Sequence, residues 1–220
     1  MKKLIPMLVF LALILSACGT NQSPQVVLPT INAVSYPTVQ ASQPASNQNV
    51  GGFNVSLERA WRDGKMVYVD VCFALPDQSN WTIWAADFNY SGQSITDFSA
   101  SLLNTQNASN GQPANRCDQI SFYVPPDADL SSASLVIESI GAYPTQDEYC
   151  SLYMPKIQQA LNQRGIAITL DCKANANGMT TMQIVSKPAS MSQEDAEKIV
   201  YSDEFYTVKG PWTFAVNLGR

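Results

Sequence analysis

The clearest pattern in the chain is an alternation of apolar and polar residues between positions 66 and 75. The sequence there is MVYVDVCFAL, in which three valines, a phenylalanine and a leucine alternate with Tyr68, Asp70 and Cys72. Successive side chains of a β-strand point to opposite faces, so this period of two predicts a strand with one buried face. We expect the valine face to line the core and Cys72 to point away from it.

The same alternation recurs between segments rich in turn-forming residues. Residues 116–124, RCDQISFYV, place Ile120 and Phe122 on one side and Cys117 on the other. Short alternating strands separated by turns predict a mainly β protein built as an antiparallel β-sandwich. The other predicted strands are residues 53–58, 81–90, 134–140 and 212–218, with a polar loop at 104–116 and a turn at 209–211.

Residues 145–203 interrupt the strand pattern. Thr145 and Glu148 match a capping box, in which a threonine begins a helix and a glutamate three residues later closes back on it. Residues 166–172 and 179–186 are typical of two strands joined by a turn, and a second helix is expected after them. Strand alternation then returns, so we interpret residues 145–203 as an α+β insertion. In architecture alone the predicted domain resembles immunoglobulin-like sandwiches, a likeness that implies no function.

The cysteines predict two disulfides. The chain has five, and Cys18 belongs to the leader described below, so four remain. Cys72 and Cys117 lie on the outer sides of two strong strands, where directly opposed Cβ atoms are about 4.5–5.5 Å apart and suit a cross-strand disulfide. Cys150 and Cys172 would then join the first inserted helix to the strand after it. An even number of cysteines in an exported chain favours disulfides over metal thiolates.

The first 18 residues have the order of a secretory signal peptide. Lys2 and Lys3 precede a 12-residue apolar run, which at about 1.5 Å per residue is too short for a bilayer core of about 30 Å. The run ends in Leu15-Ser16-Ala17-Cys18, which resembles the lipobox of bacterial lipoproteins. This resemblance implies cleavage before Cys18 and acyl chains, such as palmitate, on that cysteine. It also implies an anchor on the extracytoplasmic side of a cell membrane. A secretory signal that is cut without lipidation also fits the charge and hydrophobicity.

A tether is expected between the leader and the folded part. Residues 19–50 carry no charge and are rich in Ser, Thr, Asn, Gln and Pro, a composition typical of disorder. Residues 26–28 within them are also compatible with an outer strand. We therefore divide the chain into a signal peptide at 1–17, a lipidated, disordered tether at 18–50, and one domain at 51–220.

Composition excludes several kinds of chemistry. The chain has no histidine, which removes Ser-His-Asp and Cys-His catalysis and histidine-ligated zinc. Without Lys2 and Lys3 the mature chain has 11 basic and 18 acidic residues, a net charge of −7, and no basic stripe suited to nucleic acid. No nucleotide-binding, metalloprotease or nucleophile-elbow motif occurs. We predict no cofactor, no metal site and no catalytic residue.

The best sequence candidate for ligand recognition is the strand at 81–90. Trp81, Trp84 and Tyr90 alternate there with amides and a carboxylate, a combination that suits stacking and hydrogen bonding with a sugar or a peptide. Regular alternation places Trp84 and Tyr90 on one face of the strand, which favours a core position for Trp84 and leaves open whether Trp81 is exposed.

These observations favour a membrane-anchored, non-enzymatic module that binds a glycan, a peptide or another envelope protein. One alternative is an extracytoplasmic hydrolase that uses two carboxylates, since that chemistry needs no histidine. Another is a purely structural envelope protein. The acidic residues within strand-like segments are Asp70, Asp87, Glu138 and Asp171.

Overall fold

The structure is a computed structural model that describes residues 46–108, 114–174 and 178–219. The predicted signal peptide, Cys18 and residues 18–45 of the predicted tether lie outside the described residues. The strands are β1 (Ser46–Val50), β2 (Phe53–Asp63), β3 (Met66–Ala74), β4 (Trp81–Tyr90), β5 (Gln93–Ile95), β6 (Ser99–Gln106), β7 (Asn115–Tyr123), β8 (Ala133–Ala142), β9 (Thr169–Ala174), β10 (Thr180–Ser186) and β11 (Thr207–Val216). The helices are α1 (Gln146–Glu148), a π-helical turn (Tyr149–Tyr153), α2 (Met154–Gln163), α3 (Gln193–Val200) and a short 3-10 helix (Asp203–Phe205).

Two antiparallel sheets pack face to face. One has the strand order β1-β2-β3-β7-β6 and the other β11-β8-β4-β5. Phe88 on β4 meets Phe122 on β7 with ring centroids 5.3 Å apart, and Phe53 on β2 lies 5.8 Å from Trp212 on β11. Aromatic side chains from both sheets therefore share one core, and the predicted mainly β sandwich is confirmed. The more specific immunoglobulin-like likeness remains a prediction.

Strand β3 follows the alternation read from the sequence. Its three valines are fully buried, while Tyr68 and Cys72 on the other side are partly exposed. Cys72 lies directly opposite Cys117 on β7, and the two form a disulfide. The predicted cross-strand pairing is confirmed, because burial of the valine face fixes which side of each strand its cysteine occupies.

Strand β4 departs from the expected alternation. Trp81 and Ile83 are buried, yet beyond Ala85 the buried residues are Ala86, Phe88 and Tyr90. The register with β8 shifts on both sides of Ala85, so the strand is bulged there. The buried residues stand at odd positions before Ala85 and at even positions after it. The prediction that one regular alternation runs through the strand and places Trp84 and Tyr90 on the same face is therefore wrong.

The α+β insertion lies between two neighbouring strands of one sheet. Strands β8 and β11 pair directly, and the helices together with the separate β9–β10 pair lie between them in the chain. Helix α1 begins with the predicted capping box, in which Thr145 and Glu148 each accept a hydrogen bond from the other's backbone N–H. Cys150 in the π-helical turn forms the predicted disulfide with Cys172 on β9.

The tether prediction is wrong for residues 46–50, which form β1 and pair with β2. The side chain of Gln48 extends this pairing to β11, since its Oε1 accepts the backbone N–H of Thr213 at 2.7 Å and its Nε2 donates to the Thr213 carbonyl. The sequence did not predict this strand because its residues are uncharged and polar. A strand attached by side-chain hydrogen bonds has no apolar–polar alternation to mark it.

Two other boundaries differ from the predictions. Strand β6 is absent from the predicted strands, and its last three residues, 104–106, lie in the segment predicted to be a polar loop. All eight of its residues are exposed, so no alternation marks it. The expected turn at residues 209–211 is instead a bulge within β11, because the register with β8 shifts between Lys209 and Trp212.

Candidate functional site

The three aromatic residues proposed for recognition do not form one site. Trp81 is 2% exposed and Tyr90 is 5% exposed, so both belong to the core. The Tyr90 hydroxyl donates to Gln93 Oε1 at 2.9 Å, at the opposite end of β4 from Trp81. Trp81 and Tyr90 therefore offer no surface to a ligand, and of the three candidates only Trp84 is partly exposed.

Trp84 instead forms a pair with Tyr143, which follows β8. Their ring centroids lie 5.3 Å apart with a tilt of 54°, and Tyr143 is 59% exposed. The Trp84 indole covers Gly141, where the space for a side chain is filled by the ring. The Trp84 Nε1–H has no hydrogen-bond partner among the described residues, so packing alone holds the indole in place.

A polar cleft, which we call the Asp77 cleft, lies where the loop after β3 meets the start of the insertion. It has a volume of about 610 Å³, within the range of small-ligand sites. Its wall is formed by the 75–81 segment, the facing ends of β6 and β7, and the beginning of α1. The polar residues lining it are Asp77, Gln78, Ser79, Asn80, Thr105, Asn107, Arg116, Thr145 and Glu148, with Trp81 among the apolar ones.

Asp77 organises the loop that forms one wall of the cleft. Its Oδ1 accepts the backbone N–H of Ser79 at 2.9 Å and the indole N–H of Trp81 at 2.7 Å. Its Oδ2 accepts the hydroxyl of Tyr153 at 3.5 Å, which joins the loop to the insertion. Burial raises the pKa of Tyr153 to about 12, and the nearby Asp77 carboxylate contributes in the same direction. Tyr153 therefore stays protonated and can donate to Asp77 at neutral pH.

Arg116 forms the opposite wall through a buried ion pair. Its Nε donates to Asp118 Oδ1 at 2.7 Å, and the Asp118 side chain is fully buried. Thr82 donates to the other oxygen of Asp118 at 3.0 Å. A second nitrogen of Arg116, Nη1, donates to Asn80 Oδ1 at 2.5 Å. The guanidinium is thus committed to holding the cleft wall, which lowers its capacity to bind an anionic ligand.

Three exposed polar side chains on the cleft are uncommitted. Gln78, Thr105 and Asn107 are exposed and line the cleft, and none of them makes a side-chain hydrogen bond within residues 46–108, 114–174 and 178–219. Together they offer two amides and one hydroxyl, each able to donate and accept. The groups left free in the cleft therefore favour a ligand that is polar and uncharged.

The cleft contains two carboxylates, but their hydrogen bonds suit structural roles. Asp77 accepts from two N–H groups and from Tyr153, and Glu148 Oε2 accepts the Thr145 N–H at 2.6 Å in the helix cap. Neither carboxylate is arranged as a proton donor. Within the part of the chain that the structure describes, no cluster of His, Cys, Asp or Glu could hold a metal ion.

The strand carboxylates considered for hydrolysis do not meet in a groove. They lie on four different strands, and none of them lines the cleft. Asp70 accepts from Arg59 and from Gln119 on the outer face of the five-stranded sheet, and Glu138 and Asp171 are exposed.

Another group of aromatic residues lies on the outer face of the five-stranded sheet. Trp61 stacks on Tyr68 across β2 and β3 with centroids 5.2 Å apart, and the Arg59 guanidinium lies 4.1 Å from the Trp61 ring centre. The Trp61 ring therefore contacts both an aromatic ring and a cation. We interpret this stack as a cross-strand stabilising contact.

Sequence reasoning missed the cleft and Tyr143. The cleft is built from loop residues whose proximity depends on how the insertion packs, and no periodic pattern records that. Alternation did place Tyr68 on an outer face, and the position of Tyr143 just after a predicted strand end was the available signal for an exposed aromatic residue.

Comparisons with protein-family models, with curated proteins and with solved structures give no match for this chain. Among the residues that the structure describes, no helix is both long enough and apolar enough to cross a membrane.

Proposed function

We propose that this protein is a lipid-anchored, non-enzymatic binding module on the extracytoplasmic side of a cell membrane. The observation that carries the binding role is the Asp77 cleft, in which Gln78, Thr105 and Asn107 are free while the charged side chains are held by internal hydrogen bonds. A preformed concave site with a few free polar groups is the usual form of a ligand site. Its ligand is a glycan, a peptide or a segment of another envelope protein.

The proposed location rests on the leader and on the cysteines. The sequence Leu15-Ser16-Ala17-Cys18 after a charged start and an apolar run supports cleavage and lipidation at Cys18. The other four cysteines form two disulfides, and disulfides persist in oxidising, extracytoplasmic environments. Several acyl chains on one cysteine give firm anchoring, whereas one chain alone holds only weakly.

Mass spectrometry of the mature protein tests the anchor. We expect a diacylated or triacylated N-terminal Cys18, and Cys18→Ser should leave the protein unprocessed or release it from the membrane fraction. Both disulfides should still form in the Cys18→Ser variant. An exported protein with an unmodified Cys18 would refute the anchor while leaving the binding role intact.

Site-specific photocrosslinking in the native envelope tests the binding role. A photoreactive residue at Asn107 on the cleft should capture a ligand, whereas one at Val185, an exposed position on β10, should not. Thr105→Trp should fill the cleft and abolish capture from position 107. Capture that persists in the filled variant, or equal capture from both positions, would reject the cleft as the binding site.

The alternative of a carboxylate-dependent hydrolase is favoured by one observation, which is that Asp77 and Glu148 line the same cleft. If it is correct, the mature protein should release reducing ends from envelope polysaccharide, and both Asp77→Asn and Glu148→Gln should abolish that release. The structural roles of the two carboxylates lead us to expect no such activity.

A further inference from the structure

Tyr143 and Trp84 form a stepped aromatic surface, which we call the aromatic step. Trp84 lies flat over the backbone of Gly141, and the Tyr143 ring is tilted against it at 54°. Tyr143 is 59% exposed although it is one of the larger apolar side chains, and its hydroxyl makes no hydrogen bond within the described chain. Part of an aromatic ring is thus held open to solvent in a fixed orientation.

The aromatic step lies beside the Asp77 cleft. The backbone N–H of Tyr143 donates to the Asn80 carbonyl at 2.9 Å, and both Asn80 and Thr145 line the cleft. On the other side, Thr82 is two residues from Trp84 and donates to Asp118, the partner of the cleft residue Arg116. Tyr143 is therefore joined through its backbone to a residue of the cleft wall, and it lies two residues before the cleft residue Thr145.

Other exposed tyrosines lack this combination. The Tyr201 hydroxyl donates to the Met182 carbonyl at 3.4 Å, beside the β10 strand. Tyr123 is 58% exposed, but its ring lies beside the Lys65 ammonium, at the opposite end of β7 from the cleft residue Arg116. Tyr123 is consequently a matched control for Tyr143, with nearly the same exposure and a different setting.

From this arrangement we infer that the ligand of the cleft is a neutral saccharide, one of whose rings stacks on Tyr143 while its hydroxyl groups bond with Gln78, Thr105 and Asn107. This inference rests on the proposed function of the cleft. A pyranose ring has a flat face of C–H groups that packs on an aromatic ring, and its hydroxyls both donate and accept. An acidic saccharide is disfavoured, because Asp77 and Glu148 line the cleft and Arg116 is already paired.

The test is an array of neutral hexasaccharides, including β-linked glucose and N-acetylglucosamine hexamers, probed with the mature full-length protein. Uncharged hexapeptides and acidic oligosaccharides on the same array serve as the comparison classes. We expect at least one neutral saccharide to bind. Tyr143→Ala should weaken that binding about tenfold, while Tyr143→Phe and Tyr123→Ala should leave it unchanged.

The possible outcomes separate the two proposals. Saccharide binding that is lost in Thr105→Trp but unaffected by Tyr143→Ala would overturn the aromatic step and keep the cleft. Binding of peptides or acidic saccharides in place of neutral ones would overturn the ligand class and keep the proposed function. Saccharide binding that survives Thr105→Trp and also survives Tyr143→Ala would overturn the cleft and the aromatic step alike. The same conclusion would follow if no probe on the array bound and no ligand were captured from position 107.

Discussion

The indole of Trp84 occupies the space that a side chain on Gly141 would need, since a Cβ on Gly141 would lie 2.1 Å from the ring. The two residues lie on the neighbouring strands β4 and β8, and the absence of a side chain on one allows the other to lie flat on the sheet. The Trp84 ring, packed on Gly141, in turn contacts the Tyr143 ring and holds it in place.

Gly141→Ala should therefore displace the Trp84 ring and destabilise the domain by about 1–3 kcal/mol, the usual cost of forcing extra volume into a packed contact. Urea unfolding would measure the loss, and a red shift of tryptophan fluorescence would report the exposed indole. Ser139→Ala, two residues earlier on β8, is the control and should change neither. An unaltered fluorescence spectrum in Gly141→Ala would contradict the packing described for Trp84.

The sheets could be predicted from sequence wherever strands alternate without interruption. The valine face of β3 determined the side of Cys72, and the same argument for β7 gave its disulfide partner Cys117. The capping box at Thr145 was recognisable because capping depends on residue types at a fixed local spacing. The face that each cysteine occupies and the helix cap are both determined by residues within a few positions of one another.

The candidate site could not be predicted in the same way. The irregular pairing around Ala85 changes which positions of β4 are buried, so Trp81 is core while Trp84 is half-buried beside Gly141. Bulges are determined by packing between sheets, which a single strand's pattern does not contain. The cleft depends on contacts between the loop at Asp77 and the inserted helix at Tyr153, which are 76 residues apart.

The buried ion pair between Arg116 and Asp118 should be important for stability. Removing the guanidinium in Arg116→Ala leaves a fully buried carboxylate supported only by Thr82, and the expected cost is about 3–5 kcal/mol. Denaturant unfolding would measure it. Arg116→Ala combined with Asp118→Asn should recover part of the loss, because no unpaired charge then remains buried.

The control for this pair is the exposed ion pair between Arg164 and Glu204, whose side chains are 47% and 43% exposed. Arg164→Ala should have a much smaller effect, since solvent screens exposed charges. If Arg116→Ala and Arg164→Ala lower the free energy of unfolding equally, burial of Asp118 does not determine how much its ion pair contributes to stability.

Stability should decrease above pH 10 because of buried tyrosines. Burial raises the pKa of Tyr153 from its ordinary value of 10 to about 12, and burial also raises the pKa of Tyr206. Between pH 10 and pH 12 the unfolded chain loses these protons while the folded chain keeps them. The stabilising effect is therefore complete below pH 10 and is lost as the pH rises to about 12, by about 3 kcal/mol for Tyr153.

Tyr153→Phe isolates this contribution. The variant should be slightly less stable at pH 8, because Asp77 loses one hydrogen-bond donor, but its stability should fall less steeply between pH 10 and pH 12. Urea unfolding of both proteins at several alkaline pH values gives the two slopes. Identical slopes would exclude Tyr153 as a titrating group in that range.

The two disulfides should stabilise different parts of the domain. Cys72–Cys117 joins two central strands with a separation of 45 residues, and the chain-entropy model gives about 4 kcal/mol for such a link. Cys150–Cys172 spans 22 residues within the insertion and corresponds to about 3 kcal/mol in the same model. Serine substitution of both cysteines of one pair at a time, followed by denaturant unfolding, would compare them.

Hydrogen exchange shows which region of the domain each disulfide stabilises, whereas denaturant unfolding reports only the stability of the whole domain. Loss of Cys150–Cys172 should accelerate exchange in α1, α2 and β9 while the amides of β3 and β7 remain protected, because the insertion has its own strand pair and its own disulfide. Loss of Cys72–Cys117 should accelerate exchange throughout the sandwich. Because α1 and the Asp77 loop form the cleft, loss of Cys150–Cys172 should also weaken ligand binding. If this variant exchanges faster in the insertion but binds ligand unchanged, the cleft does not depend on the insertion.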